Sequence, residues 1–378
     1  MKFALVLFDW FPHGGLQRDC RHIAESLKRA GAQVSIIAMS WQGEVPEGIE
    51  RVLHSPSGLT RVARRRAFAA FIKEHCHVQA YDAVFGFKRL PGLDYYFAAD
   101  TCFAWKAYHE RAWWYRLSSR TGQYLAFERA VFGEAGKAML FMLSPLQKEE
   151  YARCYPSSVE RMIDVPPGID RNRCAGNDAD EIRRNLRNEF GLSEKSLLIL
   201  QVGTGYPVKG LDRSLKAIAA LPDSLKSRVR FFVIGSDQHG RYMKLASSLG
   251  IAACVTFLEG RNDLPRFYQG ADFLLQPSRK ESAGMVLLEA VVAGLPVLTT
   301  ASCGYAFHVE QSGAGRVVPE PFKQETLNGE LAFMLQSDEK ARWRSNGIAY
   351  GQDGDFYDMP DRVATILMEK GPQVYGRE

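Results

Sequence analysis

Lys209, Glu281 and Glu289 are residues whose types and surroundings suit a phosphorylated ligand. An apolar run, Phe273 to Leu275, ends in Gln-Pro-Ser. After a charged turn, Ser282-Ala283-Gly284 opens a periodic helix from Met285 to Ala293, which Gly294-Leu295-Pro296 stops. With Glu281 at the helix mouth and Glu289 two turns in, a rise of about 1.5 Å per residue puts them roughly 12 Å apart on nearly one face. That is the scale of the hexose-to-ribose span in a folded nucleotide sugar. Between them the amides of Ala283, Gly284 and Met285 are expected at the positive helix end, where a pyrophosphate binds, and Gly284 permits close approach. Two glutamates eight apart also occur as plain surface charges. Glu289, however, sits in VLLEAVVAG, an apolar helix of a buried kind, and a buried carboxylate needs a hydrogen-bonded partner such as a ribose diol.

Lys209 stands in VG-x5-KG after the apolar run Leu197 to Val202, at the entrance of a helix whose stripe is Leu211, Leu215 and Ile218. A lysine there meets phosphate as a mobile point charge. Earlier in the chain Lys2 to Phe8 reads as a buried strand, and FPHGGLQRD follows. Leu16, Cys20, Ile23 and Leu27 recur at helical spacing before a second strand, Val34 to Met39. This βαβ unit places a ligand beyond the strand's carboxyl end. Gly14-Gly15 there is either a plain tight turn or a close backbone approach to an anion or a reacting sugar. Tyr95 to Ala99 delivers Asp100 to another strand end, where it caps the next segment or orients a sugar hydroxyl.

With 378 residues the chain is expected to form two domains, each large enough for its own core. A net charge of +5 allows an anionic ligand or membrane surface, and no recognisable nucleic-acid module accompanies it. The seven cysteines are scattered, odd in number and without a C-x2-C pair, which favours a reducing compartment and no structural zinc. His75-Cys76-His77 looks like a metal cluster, but adjacent residues on a helix point apart, so a solvated surface is expected there. Phe3 to Phe8 is too short for a signal sequence, and no run is long enough to span a membrane; a cytoplasmic location is expected.

Two surface segments stand out. Arg61, Arg64, Arg65 and Arg66 begin a helix with three of them on one face, either a solvated surface or a patch for acceptor phosphates or anionic lipid. From Phe103 to Phe132, Trp105, Trp113 and Trp114 are interleaved with cations including Arg116 and Arg120, as in a segment lying in the headgroup layer. Glu110, Glu128 and Glu134 dilute that charge, so any attachment is expected to be weak and salt-sensitive. Val165-Pro166-Pro167-Gly168 reads as the domain junction. The first domain is then 1–164, the second 165–355, and a last helix lies at about 356–372.

Glu281 and Glu289 around SAGMVLL, followed by EAVVAGLPVLTT, resemble the E-x7-E signature of retaining glycosyltransferases of family 4, whose fold is GT-B; closer still are the lipopolysaccharide core glucosyltransferases of WaaG type. The resemblance runs from Phe11-Pro12 to about Pro360. It implies an α/β architecture of two doubly wound Rossmann-like domains with a cleft between them, the last helix crossing back to the first domain. It also implies a UDP-sugar donor, with glucose the default, and a heptosylated lipid A core acceptor. By the same resemblance the anomeric configuration is retained and the enzyme is peripheral on the anionic inner face of the inner membrane. GGLQRD matches the donor-contacting loop, carrying Gly14, Gly15 and Asp19, and Asp100 lies near the reacting sugar. Relatives offer an arginine beside the lysine, and here that position is Val208. Arg261 of EGRND is the expected substitute, unless backbone amides carry more of the diphosphate.

No D-x-D is placed at a strand end. Asp353-Gly354-Asp355 lies in a polar C-terminal loop, so no metal is expected, and Lys209 with the helix end would replace one. Other UDP-sugar donors, galactose or an N-acetylhexosamine, need only small pocket changes. From other classes, a dinucleotide-dependent oxidoreductase would also use two doubly wound halves, although G-x-G-x-x-G is missing after either first strand. A noncatalytic membrane-surface scaffold is a third alternative, one that would tolerate loss of Glu289.

Overall fold

In a computed structural model, which describes residues 1–12 and 14–370, the chain divides into two compact units. The first comprises Met1–Gly168 and the segment from Tyr357 onward; the second is Ile169–Phe356. The division falls after Gly168 and not at 165. Val165 is buried in the first unit's core with Leu27, Met359 and Val363, so the proline-rich segment closes that core before the chain leaves it.

The strands of the first unit are β1 (Lys2–Val6), β2 (Asp9–Trp10), β3 (Gln33–Ala38), β4 (Ser40–Trp41), β5 (Glu50–Leu53), β6 (Ala83–Gly86), β7 (Tyr95–Phe97), β8 (Met139–Met142) and β9 (Met162–Asp164). Seven form a parallel sheet in the order β5-β3-β1-β6-β7-β8-β9, and β2 pairs with β4. The chain builds outward from β1 to one side, then returns to lay β6 on the other. Such a reversal opens a crevice at the strands' carboxyl ends. β5 and β9 are absent from the sequence expectations, because as short edge strands they lack a continuous apolar run.

The helix Gly15–Arg29 buries Cys20, Ile23, Ala24 and Leu27, the 3–4 spacing of one apolar stripe, and Gly31 past its end takes the left-handed φ of 85°. The helix Met359–Lys370 buries Met359, Val363, Ala364 and Leu367 in the same core, and Arg29 meets Asp361 at 2.6 Å. Positions 371 and 372 of the expected helix lie outside the described residues.

The second unit has β10 (Leu197–Val202), β11 (Val229–Ile234), β12 (Val255–Leu258), β13 (Phe273–Gln276), β14 (Val297–Thr300) and β15 (Gly315–Val318), all parallel in the order β12-β11-β10-β13-β14-β15. Its strands read as near-continuous apolar runs because helices cover both faces. The order reverses between β10 and β13. No helix among the described residues is long and apolar enough to cross a membrane.

Candidate active site

The loops after β10 and β13 flank that reversal, and they carry Lys209 and Glu281. After β10, Gly203, Gly205 and Gly210 all take positive φ, so the chain folds back tightly, and the helix Leu211–Ala219 starts directly from Gly210. Asp237 pins the loop by accepting the amides of Gly205 and Tyr206, both at 2.7 Å. Gln201 Nε2 donates to the Lys209 carbonyl at 2.7 Å. Burial, with Asp237 and Glu259 adding to it, pushes the Tyr206 phenol up to about 12.

Lys209 Nζ donates to Glu281 Oε2 at 2.5 Å, and Ser278 Oγ donates to the other carboxylate oxygen. Both side chains are largely buried, at 16% and 9% exposure. An ammonium has three donors, so the bond to Glu281 orients Lys209 and leaves N–H groups for a second anion.

Glu281 does not lie on the helix, so the single-face geometry expected from helical rise does not apply to it. It pairs with Cys303 as an isolated parallel bridge, its amide donating to Ser302 and its carbonyl accepting from Gly304. The helix begins later, at Met285–Val292, from Gly284 in the left-handed region at φ 87°. A Cβ on Gly284 would come within 2.3 Å of Cys303 Sγ and 3.5 Å of Glu281 Oε2. Among the described residues the amides of Ala283, Gly284 and Met285 donate to no protein acceptor. Burial, with the Glu281 charge adding to it, pushes the Cys303 thiol well up, which keeps it neutral beside Ala283.

Glu289 is 3% exposed, and its partners come from the protein rather than requiring a ribose. Tyr268 O–H donates to Oε2 at 3.0 Å, and Arg173 Nε lies 3.9 Å from Oε1. Nothing near Glu289 in sequence announces either partner. Arg261 differs from expectation too: Asp263 takes its guanidinium through two bonds of 2.6 and 2.9 Å, and it lies over the Phe267 ring. Two of the guanidinium's five N–H donors are so used, and Val208 beside Lys209 is 47% exposed.

In the first unit Gly14 follows β2 and precedes the helix Gly15–Arg29. A Cβ on Gly14 would strike Gln17 and Phe11, whereas Gly15 faces open space. Asp19 is buried on that helix with Arg18 Nε 3.7 Å away. Asp100 does not cap the segment after it; the Cys102 side chain does, accepting from Trp105. The Asp100 carboxylate instead faces Lys88 Nζ at 2.9 Å and Arg89 at 3.8 Å. Burial alone would raise its pKa, but Lys88 and then Arg89 outweigh that and hold it below the usual carboxylate range.

The arginine helix, Arg61–Val78, presents Arg61 and Arg64 to solvent, while Arg65 is half-buried against Phe8 and Tyr124 and does not share their surface. The expected solvated cluster at 75–77 is also corrected, since Cys76 is core and His75 stacks on Phe71. Between 103 and 132, Trp113 and Trp114 are 63% and 65% exposed, with Tyr108, Leu117, Arg116 and Arg120 also exposed; Trp105 is half-buried under Arg153. Glu128 does not dilute surface charge. Fully buried, it accepts the amides of Phe103 and Ala104 at 2.7 Å each, bonds Arg89 and receives Tyr155 O–H, fixing the start of the segment.

A family model for glycosyl transferases group 1 matches residues 182–349. The lipopolysaccharide glucosyltransferase WaaG of Escherichia coli (strain K12) is 40% identical over 368 residues, 97% of this chain and 98% of that protein. A crystal structure of WaaG, a glycosyltransferase involved in lipopolysaccharide biosynthesis, superposes with a TM-score of 0.93 at 39% identity, covering 97% of this chain and 99% of that one. A D-inositol 3-phosphate glycosyltransferase of Actinosynnema mirum is 33% identical over half of this chain and 47% of its own length. At 18% identity, Anabaena HepE in complex with UDP-glucose shares the fold, with a TM-score of 0.75 over 98% of this chain and all of that one. These likenesses displace the oxidoreductase alternative. The chain belongs to the group 1 glycosyltransferases of GT-B fold, in the WaaG family of lipopolysaccharide core glycosyltransferases.

Proposed function

We propose that this glycosyltransferase moves glucose from UDP-glucose to an inner-core heptose of lipopolysaccharide, with retention at the anomeric carbon and without a metal. The observation that carries the proposal is the Lys209–Glu281 pair at the strand reversal, beside the open amides of Gly284 and Met285. A departing diphosphate gathers negative charge, and fixed donors aimed at it lower the barrier. Lys209 and those amides supply them, Glu281 holds Lys209 and faces the hexose, and Glu289 anchors the ribose end. The family relationship and the UDP-glucose bound by HepE support this choice of donor. With Arg261 bonded to Asp263, the diphosphate leans on amides.

The first unit presents the acceptor, with Gly14, Gly15 and Asp19 serving the donor's sugar end and Asp100 orienting a sugar hydroxyl. Trp113, Trp114 and Leu117, flanked by Arg116 and Arg120, fit weak attachment to an anionic bilayer surface at the cytoplasmic face. The test is a panel of UDP-sugars offered with heptosylated lipid A core, scored with and without EDTA. Transfer from UDP-glucose that survives chelation is expected. Preference for UDP-galactose or a UDP-N-acetylhexosamine would overturn the donor, and loss of activity under EDTA would overturn the metal-free chemistry.

A further inference from the structure

The first unit has a strand reversal of its own, between β1 and β6, and a cavity of about 110 Å³ lies beyond it. Arg65, Lys88, Arg89, Asp100 and Tyr124 line it with Phe8, which follows β1; Lys88 and Arg89 follow β6, and Asp100 follows β7. Three cations thus share it with one lining carboxylate, and they are not equally satisfied. Lys88 has Asp100 at 2.9 Å, and Arg89 has the buried Glu128. Arg65 has no carboxylate within ion-pair distance among the described residues. Its guanidinium is held by ring faces, 4.7 Å from the Phe8 centroid and 5.0 Å from that of Tyr124, and one nitrogen bonds the Tyr124 hydroxyl.

Arg65 thus has a counter-charge in Asp100 only across the cavity, beyond ion-pair distance, and its guanidinium keeps N–H groups for a visiting anion. Its planar fork suits the two oxygens of a phosphate or carboxylate. The rings fix the fork's direction and add cation–π attraction without neutralising it. A cavity of roughly 150 Å³ holds benzene, so this one takes a single oxyanion group, with the sugar that bears it at the mouth. Asp100 stands across from Arg65, where it can accept a hydroxyl of that sugar.

We infer that this cavity is an oxyanion subsite for a negatively charged acceptor sugar, with Arg65 and Lys88 taking the phosphate or carboxylate and Asp100 a neighbouring hydroxyl. The inference rests on the proposed role of the first unit in presenting the acceptor. Arg65 is then a specificity determinant, not a group on the reacting atoms.

The test compares wild type with Arg65→Gln and Arg65→Lys on three acceptors: intact lipid A core, the same core after dephosphorylation, and the same core with its carboxyls amidated. For the intact acceptor Arg65→Gln raises KM by about 10- to 100-fold, the worth of a charge-assisted hydrogen bond, with kcat within a few-fold. Arg65→Lys, which keeps the charge without the fork, lies between. Whichever treatment makes wild type and Arg65→Gln equal identifies the anion. An equal KM change on all three acceptors, or none on any, overturns the proposal. A second readout is independent of turnover: with UDP saturating, inorganic phosphate raises the Tm of wild type and not of Arg65→Gln. Failure of UDP to bind or of glucose to transfer counts against the proposed function alone, and the phosphate titration then decides this pocket, an equal Tm response in both proteins overturning it.

Discussion

Lys209 Nζ and Glu281 Oε2 lie 2.5 Å apart, one from each loop flanking the reversal between β10 and β13. The pair comes from positions 72 residues apart in the chain and is created by the topology alone. On the proposed function, removing the cation while keeping the stem, Lys209→Met, takes away a donor aimed at the leaving diphosphate. Loss of one such donor costs about 10²- to 10³-fold in kcat. Steady-state kinetics with UDP-glucose measure it, and a kcat within threefold of wild type would remove Lys209 from the chemistry. Because the lost partner strands a buried carboxylate, about 3–5 kcal/mol of stability goes too. The double variant Lys209→Met with Glu281→Gln is therefore expected to recover stability but not turnover.

Replacement of Gly284 fails on two grounds. Its φ of 87° disfavours any side chain, and a Cβ would collide with Cys303 Sγ at 2.3 Å. Gly284→Ala should lower Tm by several degrees and weaken UDP binding, since the amides beside it move. Adding Cys303→Gly relieves the collision and not the backbone strain, so partial recovery in thermal unfolding is expected. Full recovery would show that the left-handed conformation matters little.

Tyr268 O–H donates to Glu289 Oε2 at 3.0 Å. Tyr268→Phe deletes that bond without changing the core's shape and should cost about 1 kcal/mol of stability. If Glu289 is an anchor for the donor's ribose, freeing it by Tyr268→Phe raises KM for UDP-glucose several-fold, whereas Glu289→Ala raises it by more than tenfold. Calorimetric UDP affinities that do not change in either variant would make Glu289 a folding residue only.

Much of the second unit's site is legible in sequence because its parts are local signals. Glycines after an apolar strand, a lysine at a helix entrance and Gly284 before an apolar helix each announce themselves within ten residues. Extending helical rise back to Glu281 at the helix mouth follows from the same locality. SAG and MVLLEAVV read as one periodic segment, and only the bridge to Cys303 shows that the chain is still extended at 281. Partners brought by topology left no local mark: Tyr268 and Arg173 on Glu289, Asp237 beneath the glycine loop, and Glu128 holding Arg89. Glu128 misleads for a further reason, since a glutamate among arginines and aromatics reads as surface charge until burial reveals five donors converging on it.

His308 gives the second unit a pH dependence with a definite sign. Burial lowers its pKa from 6.5 to about 4, and its Nδ1 sits 2.8 Å from the Tyr350 hydroxyl among the rings of Tyr305, Phe307 and Phe356. Between those two values the unfolded chain holds a proton that the folded chain does not. This contribution is therefore fully present above pH 6.5 and lost as pH falls toward 4, about 3 kcal/mol in all. Urea midpoints at pH 7 and pH 5 should fall more steeply for wild type than for His308→Gln. Equal slopes would mean that the imidazole is protonated in the fold.

Under the proposed function, one ammonium group and a helix-end set of amides bind a nucleotide diphosphate without a metal. Calorimetric titration of UDP into the full chain in EDTA measures it most directly. Saturable one-site binding is predicted, unchanged by added magnesium or manganese and weakened at least tenfold by Lys209→Met. No heat of binding in EDTA, with binding restored by either divalent cation, would contradict it.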